Sequence, residues 1–441
     1  MTLKSPRTDM DLSEEYNHDE EPEAAPGYRT YEVYQRERVG ETTNLIKPRQ
    51  LISNEYLEDP YPLLEILREN YPCYRDWLNN RFWITRYDDV TSVFTDDRNF
   101  ETRPKSWHNL MKSDSVSLWQ EKEIQQEYEN LVDNHITDVV DEVLTSFDKK
   151  EINLATEFCT QVPLRLFGKV IGIPDEDVEQ FMALYWQSRL VDGWNPSHKQ
   201  RGIAAMQGME TMVGEVCLAR RLRPQNDLIT SILQTANLNR DVTAQDVILT
   251  FLDIDQGTLI GGLSSLWFNL MTNPSEMKKV LDDRRMLKFA WLETLRFSPP
   301  VLSAERFAKY EIERFGRLIP QGGLLMCSAA AANRDPRQFN EPNKFVIGRK
   351  DLCQREPRGQ YRADGLPSGI AFSLGKPSIH PAVPKERARS MYAIVRDCAV
   401  VASELLLNSY PDLKLQKGTN PKLTALNLGD IHTCWDLNVE L

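Results

Sequence analysis

The most informative stretch of the chain is FAWLETLRFSPPVLSAERFAKYE, residues 289–311. Its first part continues an apolar periodicity over residues 285–297, which predicts a helix. The pair Pro299-Pro300 stops that helix, because proline lacks an N–H and its ring clashes with the preceding turn. Glu293 and Arg296 stand three residues apart, so they are neighbours on one helix face. Short strands are expected beyond it, around Ile312, Leu318 and residues 324–328. Upstream, residues 243–271 form the longest apolar periodic run, ended by Asn273-Pro274. That run predicts one long, largely buried helix. Farther out, DPYPLLEILREN (59–70) reads as a helix opened by Asp59 with Pro60 just inside it, and RFWITRYDD (81–89) reads as a strand. Residues 118–149, 158–172 around Pro163, and 388–407 read as further helices, with IPDED (173–177) opening another. The predicted class is mainly α with small β-sheets.

The chain has 441 residues, 41% of them apolar and 27% charged. It carries 53 basic and 65 acidic side chains, a formal charge of −12, which argues against a surface built throughout for nucleic acid. No stretch approaches the roughly 18 consecutive apolar residues of a transmembrane helix, and no basic-then-apolar leader opens the sequence. Seven scattered cysteines without a CxxC pair do not make a disulfide framework, so the expected compartment is the cytoplasm. Residues 1–24 contain eight acidic residues against Lys4 and Arg7. Such a composition does not bury enough surface to offset ordering entropy. We therefore expect residues 1–27 to be a disordered acidic tail and residues 28–441 to be one large domain. The sequence contains no GxGxxG, P-loop, GxSxG, HExxH or H-x₃-H pattern, which leaves dinucleotide, phosphate-cradle, serine-hydrolase and zinc-protease readings without support.

Several segments, in this order, resemble the cytochrome P-450 superfamily, of the bacterial soluble type. DPYPLLEILRENYP followed by RFWITRYDDVTSVFTDDRNF looks like that family's N-terminal helix and first sheet. ETLR, Glu293 to Arg296, resembles its Glu-x-x-Arg helix, and AAANRDPRQFNEPNKF (330–345) resembles the segment leading into the aromatic meander. FVIGR places Arg349 where the family completes the glutamate–arginine cluster. The resemblance covers residues 55–440 and implies the cytochrome P-450 fold. By the same resemblance, Arg306 matches the position that holds a haem propionate, and Thr258 matches the alcohol of the family's acid–alcohol pair. The cluster of Glu293, Arg296 and Arg349, if buried, is architectural, because a buried arginine needs bidentate pairing to offset its desolvation.

The chain also departs from the family. The family's haem loop runs Phe-x-x-Gly-x-x-x-Cys, and its thiolate favours O–O cleavage. Here the loop is FSLGKPSIHP. Phe372 and Gly375 match, but Ile379 holds the cysteine position, and isoleucine has no lone pair. Pro377 stands where many members carry a haem-contacting basic residue, and Pro381 replaces a glycine. Cys353 and Cys398 are the nearest cysteines in sequence. His380, beside Ile379, is the replacement metal ligand to consider, since imidazole is a common haem ligand. In the central helix the acid position falls on Gly257, and Asp255 lies two residues earlier. On a continuous helix that offset swings a side chain by about 200°. Asp253 and Asp255 on an apolar helix face a cavity or a partner, or else an exposed edge, because buried unpaired carboxylates are costly.

The candidate site is therefore Thr258 and Asp255 as catalytic groups, and Arg306, Phe372, Gly375 and His380 toward haem. Two functions follow from the resemblance. One is a haem-free accessory or binding protein of a natural-product pathway, with an apolar small molecule and a protein partner: a glycosyltransferase, a carrier protein or a redox protein. The other is a haem-binding oxidoreductase of monooxygenase type, with a ligand other than cysteine. Trp107, Trp119, Trp186 and Trp194 fall in segments expected near the ligand, and together they point to an apolar cavity.

Overall fold

The computed structural model describes residues 45–94, 96, 98–102, 115–188, 190, 196–235, 240–254, 256–352, 389, 391–425 and 431–441. The expected acidic tail, the loop from Phe372 to Pro381, Cys353, Asp255, Trp107 and Trp194 lie outside the described residues.

Helices carry most of the structure. In chain order they are α1 (Asn54–Glu58), α2 (Tyr61–Asn70), α3 (Tyr87–Phe94), α4 (Lys122–Thr145), α5 (Gln161–Ile171), α6 (Val178–Ser188) and α7 (Pro196–Leu222). The series continues with α8 (Leu228–Gln234), α9 (Ala244–Leu252), α10 (Gly257–Thr272), α11 (Pro274–Asp282), α12 (Met286–Phe297), α13 (Ala329–Ala332) and α14 (Met391–Ser409). The strands are β1 (Tyr74–Asp76), β2 (Arg81–Ile84), β3 (Phe100–Glu101), β4 (Glu151–Asn153), β5 (Ser303–Ala308) and β6 (Ile312–Arg314). They continue as β7 (Arg317–Ile319), β8 (Leu324–Ser328), β9 (Lys414–Leu415), β10 (Leu423–Ala425), β11 (His432–Cys434) and β12 (Asn438–Glu440).

Five strands form one sheet in the order β1-β2-β8-β5-β3. The β2–β8 pair is parallel, with Phe82 opposite Leu325 and Ile84 opposite Cys327. β5 runs antiparallel to β8 and sets Arg306 opposite Leu325. Side chains alternate across a strand, and the sheet separates two apolar clusters accordingly. Phe82, Ile84, Leu325 and Cys327 join the main core, whereas Tyr74, Trp83 and Met326 pack with Tyr56, Leu64 and Leu67 on the other side. Smaller sheets pair β10 with β11, β6 with β7, and β4 with β12 and β9.

The centre of the main core is the packing of α10, α12 and α14. Leu263, Leu266, Trp267 and Leu270 of α10 are fully buried, as are Ala290, Trp291 and Leu295 of α12 and Ala399 and Leu406 of α14. Each large apolar side chain buried here contributes about 1.5–3 kcal/mol. The apolar run Ala244–Thr272 is long enough to cross a membrane, but 88% of its most apolar window is inside the fold, as the periodicity predicted.

Two expectations need correction. The strand predicted over 81–89 ends at Ile84, and helix α3 starts at Tyr87 with Asp88 and Asp89 in its first turn, where acidic side chains favour the helix dipole. The single helix predicted over 243–271 is two helices, interrupted between Leu252 and Gly257.

Candidate ligand-binding site

The interruption lies immediately before Thr258, and its causes are local and tertiary together. α9 opens with a reciprocal cap: Thr243 accepts from the Asp246 N–H, and the Asp246 carboxylate accepts from the Thr243 N–H, the arrangement that satisfies orphan donors at a helix start. At the other end the chain tightens, with the Asp253 N–H donating to Thr250 at 3.3 Å and the Ile254 N–H to Phe251 at 3.0 Å. A continuous helix would use the Ile254 carbonyl to accept from residue 258. That carbonyl instead accepts from the Tyr185 hydroxyl of α6 at 3.1 Å, and the Asp253 carboxylate accepts from the Ser117 hydroxyl at 2.6 Å. α10 restarts from Gln256, whose carbonyl takes the Ile260 N–H at 3.1 Å. Thr258, the second residue of α10, is fully buried. Aspartate and glycine at the junction are weak helix formers; Tyr185 takes the carbonyl the helix gives up, and Ser117 holds the Asp253 side chain.

Residues 115–118 lie as a strap along α9. The Ser115 hydroxyl donates to Gln245 at 3.1 Å, the Val116 N–H to Asp246 at 2.8 Å, and the Leu118 N–H to the Thr250 hydroxyl at 2.9 Å. Asp246, Thr250 and Asp253 are spaced so that all three share one helix face. Asp246 is the hub. It is fully buried and also takes both arms of the Arg240 guanidinium, at 2.7 and 2.8 Å. Burial by itself would raise its pKa, but the Arg240 fork and the Thr243 and Val116 N–H groups outweigh burial and hold it down to about 2. Sequence reading passed over Asp246, although the T-x-x-D spacing at its helix start was visible. Trp119 follows the strap and packs edge-on against Tyr128 at 5.4 Å, and Trp186 packs likewise against Tyr185 at 5.3 Å.

The β10–β11 hairpin packs on α10 through Gly261, Ser264 and Ser265. Thr433 donates to the Gly261 carbonyl at 2.7 Å and shares a 3.0 Å hydrogen bond with Ser265, while Ser264 donates to the Cys434 carbonyl. A Cβ on Gly261 would come within 2.5 Å of Ile431 and Pro300, so only glycine lets these surfaces close at that point.

Arg306 lies on β5 and is 3% exposed, which removes the alternative of a solvated strand residue. Its guanidinium donates to the Glu305 carbonyl at 2.8 Å and sits 4.6 Å from the centre of the Phe94 ring. A buried guanidinium suits a carboxylate such as a haem propionate. The axial donor is a different matter. All six described cysteines are buried, and burial pushes Cys327 and Cys398 up to about 12 and Cys217 and Cys434 up to about 11. Such thiols stay protonated at neutral pH. The described donor set thus fits the carboxylate end of haem and does not fit its thiolate-bound iron. Nor does any group of three or more metal-ligating side chains stand close together among the described residues.

Glu293 and Arg296, three residues apart on α12, come together with Arg349. Glu293 takes Arg296 bidentately at 2.7 and 2.8 Å and the Val346 N–H at 2.9 Å. Arg296 is fully buried and also reaches the carbonyls of Asn333, Pro342 and Lys344. Arg349 stands 3.7 Å from Glu293 and 3.3 Å from Asp351. Glu276, absent from the sequence reading, takes the Ile347 N–H at 2.7 Å. Two carboxylates therefore hold the backbone of residues 346–347.

Comparison with known proteins agrees with this architecture. The cytochrome P450 family model matches residues 266–355. Vitamin D(3) 25-hydroxylase of Pseudonocardia autotrophica is 26% identical over 338 residues, 70% of this chain and 82% of that protein. Pulcherriminic acid synthase of Bacillus subtilis (strain 168) is 24% identical over 353 residues, 75% and 87% of the two chains. Among solved structures, P450BioI in complex with an acyl carrier protein ligated to hexadec-9Z-enoic acid superposes with a TM-score of 0.69 at 20% identity, covering 88% of this chain and all of that one. Ligand-free cytochrome P450 TbtJ1 gives 0.69 at 21% identity, covering 87% and 98%. Over most of its length the chain is thus similar to bacterial cytochrome P450 proteins, and it has their fold.

Proposed function

We propose that this cytochrome P450-family chain is a haem-free accessory or binding protein of a natural-product pathway. In this reading it holds an apolar small molecule against the α10 face that bears Thr258 and meets a protein partner. The observation that carries the reading is Ile379, a hydrocarbon side chain where the family's Phe372–Gly375 loop places its thiolate. The burial of the described cysteines as neutral thiols supports it. Pulcherriminic acid synthase and the polyketide biosynthesis P450 PksS of Bacillus subtilis, 23% identical over 401 residues, support a secondary-metabolite setting. P450BioI, solved with an acyl carrier protein, supports a carrier protein as the partner. Asp255 and Thr258 then serve the bound molecule as polar contacts.

One observation favours a second reading: buried Arg306 is the cation that a propionate requires. In that reading His380 supplies the ligand, Phe372 and Gly375 shape the loop, and the chain is a monooxygenase-type oxidoreductase. An absorption spectrum of protein expressed with ample haem separates the two. The accessory reading expects no Soret band. It also expects Ile379→Cys with Pro381→Gly to restore haem uptake and a thiolate-type carbonyl band if the remaining wall is intact. A histidine-type carbonyl adduct in the unaltered protein would transfer the assignment to the second reading. A thiolate-type band in the unaltered protein would overturn both.

A further inference from the structure

His432 opens β11 and is 2% exposed. Its N–H donates to the Pro300 carbonyl at 2.8 Å, and its ring Nε2 lies 3.4 Å from the Glu58 carbonyl. If Nε2 carries the ring proton toward that carbonyl, Nδ1 is left as a bare acceptor. Nδ1 has no partner among the described residues. A second ring proton would therefore sit on a buried nitrogen with nothing to receive it, a penalty that buried polar groups do not ordinarily bear.

The surroundings oppose the cation as well. The charged groups that face the ring are Asp59, which favours protonation, and Arg334, which opposes it. The neighbouring β10 offers only Thr424, whose hydroxyl reaches the Leu57 carbonyl at 3.4 Å, and α10 offers no charged group at its contact with the hairpin, where Gly261, Ser264 and Ser265 meet it. Desolvation prevails, and the ring is pushed down to about 4 from the ordinary histidine value of about 6.5.

The position of this ring gives it leverage. The hairpin is fastened to α10 through Thr433, Cys434 and Ile431, all within three residues of His432. It is fastened to the C-terminal end of α1 through Thr424 and His432 itself. Gly261, the contact of Ile431, lies three residues after Thr258, so both are on one face of α10. We propose that the β10–β11 hairpin is an acid-sensitive clasp: protonation of His432 releases it from α10 and uncovers the face that carries Thr258. This stands on the hairpin's own contacts and holds whichever ligand the site takes.

A histidine whose folded value lies below its unfolded one binds protons more readily when the clasp is open. The clasp is at full strength above about pH 6.5, weakens as the pH falls, and has lost this contribution once the pH is below about 4. Between pH 7 and pH 5 those two values imply an opening equilibrium about 20-fold more favourable.

The test is amide hydrogen exchange of the full-length protein at pH 7 and pH 5, corrected for intrinsic rates. Peptides spanning residues 422–436 and 257–265 in the unaltered protein should lose about 20-fold in protection, while α4 should not change. His432→Phe, which keeps a planar ring and removes the titrating nitrogen, should hold protection within about two-fold over the same range. If that variant does not fold, His432→Gln is read in the same way, and the ring's own NMR titration in the unaltered protein gives an independent answer. An unaltered hairpin indifferent to pH, a variant that keeps the acid response, or a ring titrating near its ordinary value would each overturn the clasp.

Discussion

Around Glu293 one carboxylate satisfies a guanidinium three residues along its own helix and a main-chain N–H 53 residues away. At the end of α9 a carboxylate meets a hydroxyl 136 residues away, and a carbonyl that the helix gave up is taken by a hydroxyl 69 residues away. The first region is a charge cluster whose core is written into one helical turn. The second exists only because other parts of the chain arrive to complete it. Buried charge makes the first rigid and costly to disturb, whereas neutral hydroxyls make the second cheaper to form and easier to loosen.

That difference sets the order of expected effects. Glu293→Ala leaves the Arg296 charge buried without its partner, which should cost about 3–5 kcal/mol. Chemical denaturation should show insoluble protein or a midpoint far below the unaltered one, and a normal melt would mean that the cluster is not the anchor its geometry suggests. Asp246→Asn keeps the shape of the strap's hub and removes its charge. The loss should be about 1.5–3 kcal/mol, read by the same denaturation, with faster exchange at residues 115–118. Because Asp246 is held down to about 2, its contribution is complete above the ordinary carboxylate range, fades as the pH falls below that range and is gone below about 2, so the strap should hold at pH 5.

Tyr185→Phe removes only the hydroxyl that takes the Ile254 carbonyl. A loss of about 0.5–1.5 kcal/mol is expected, with increased exchange confined to the residues flanking the junction. A loss as large as that of Glu293→Ala would erase the contrast between the two regions. Deleting residues 1–24 should change stability by no more than about 0.5 kcal/mol, because a segment with eight acidic and few apolar residues does not bury enough surface to add to the core. A large shift would show that the tail packs on one of them.

The same contrast explains what the sequence made legible. Glu293 and Arg296 signal through their i,i+3 spacing, Pro299-Pro300 ends α12 where expected, and the strands near Ile312, Leu318 and Leu324 announce themselves by composition. The family's order of segments placed Arg306 and Arg349, and the structure buries both. Periodicity alone read Ala244 to Thr272 as one helix because its apolar face continues through the junction. The signal for interruption lay in Tyr185 and Ser117, which no local pattern connects to Ile254 or Asp253. His432 was equally silent, since a lone histidine in a short strand carries no motif. The strand over RFWITRYDD was overextended because Tyr87 suits either structure, and Asp88 and Asp89 at the start of a helix decided against it.

The five-stranded sheet also has a consequence in time. β2 lies at residues 81–84 and its parallel partner β8 at 324–328, so a strand made early must wait for about 240 further residues. At roughly 5–20 residues per second, that is on the order of 12–50 seconds on the ribosome with Phe82, Trp83 and Ile84 lacking their neighbours. β3 waits in the same way for β5, and the strap at 115–118 for α9. The nascent chain therefore presents apolar edges long before it can cover them, and its yield in a cell should depend on the chaperones that guard that interval.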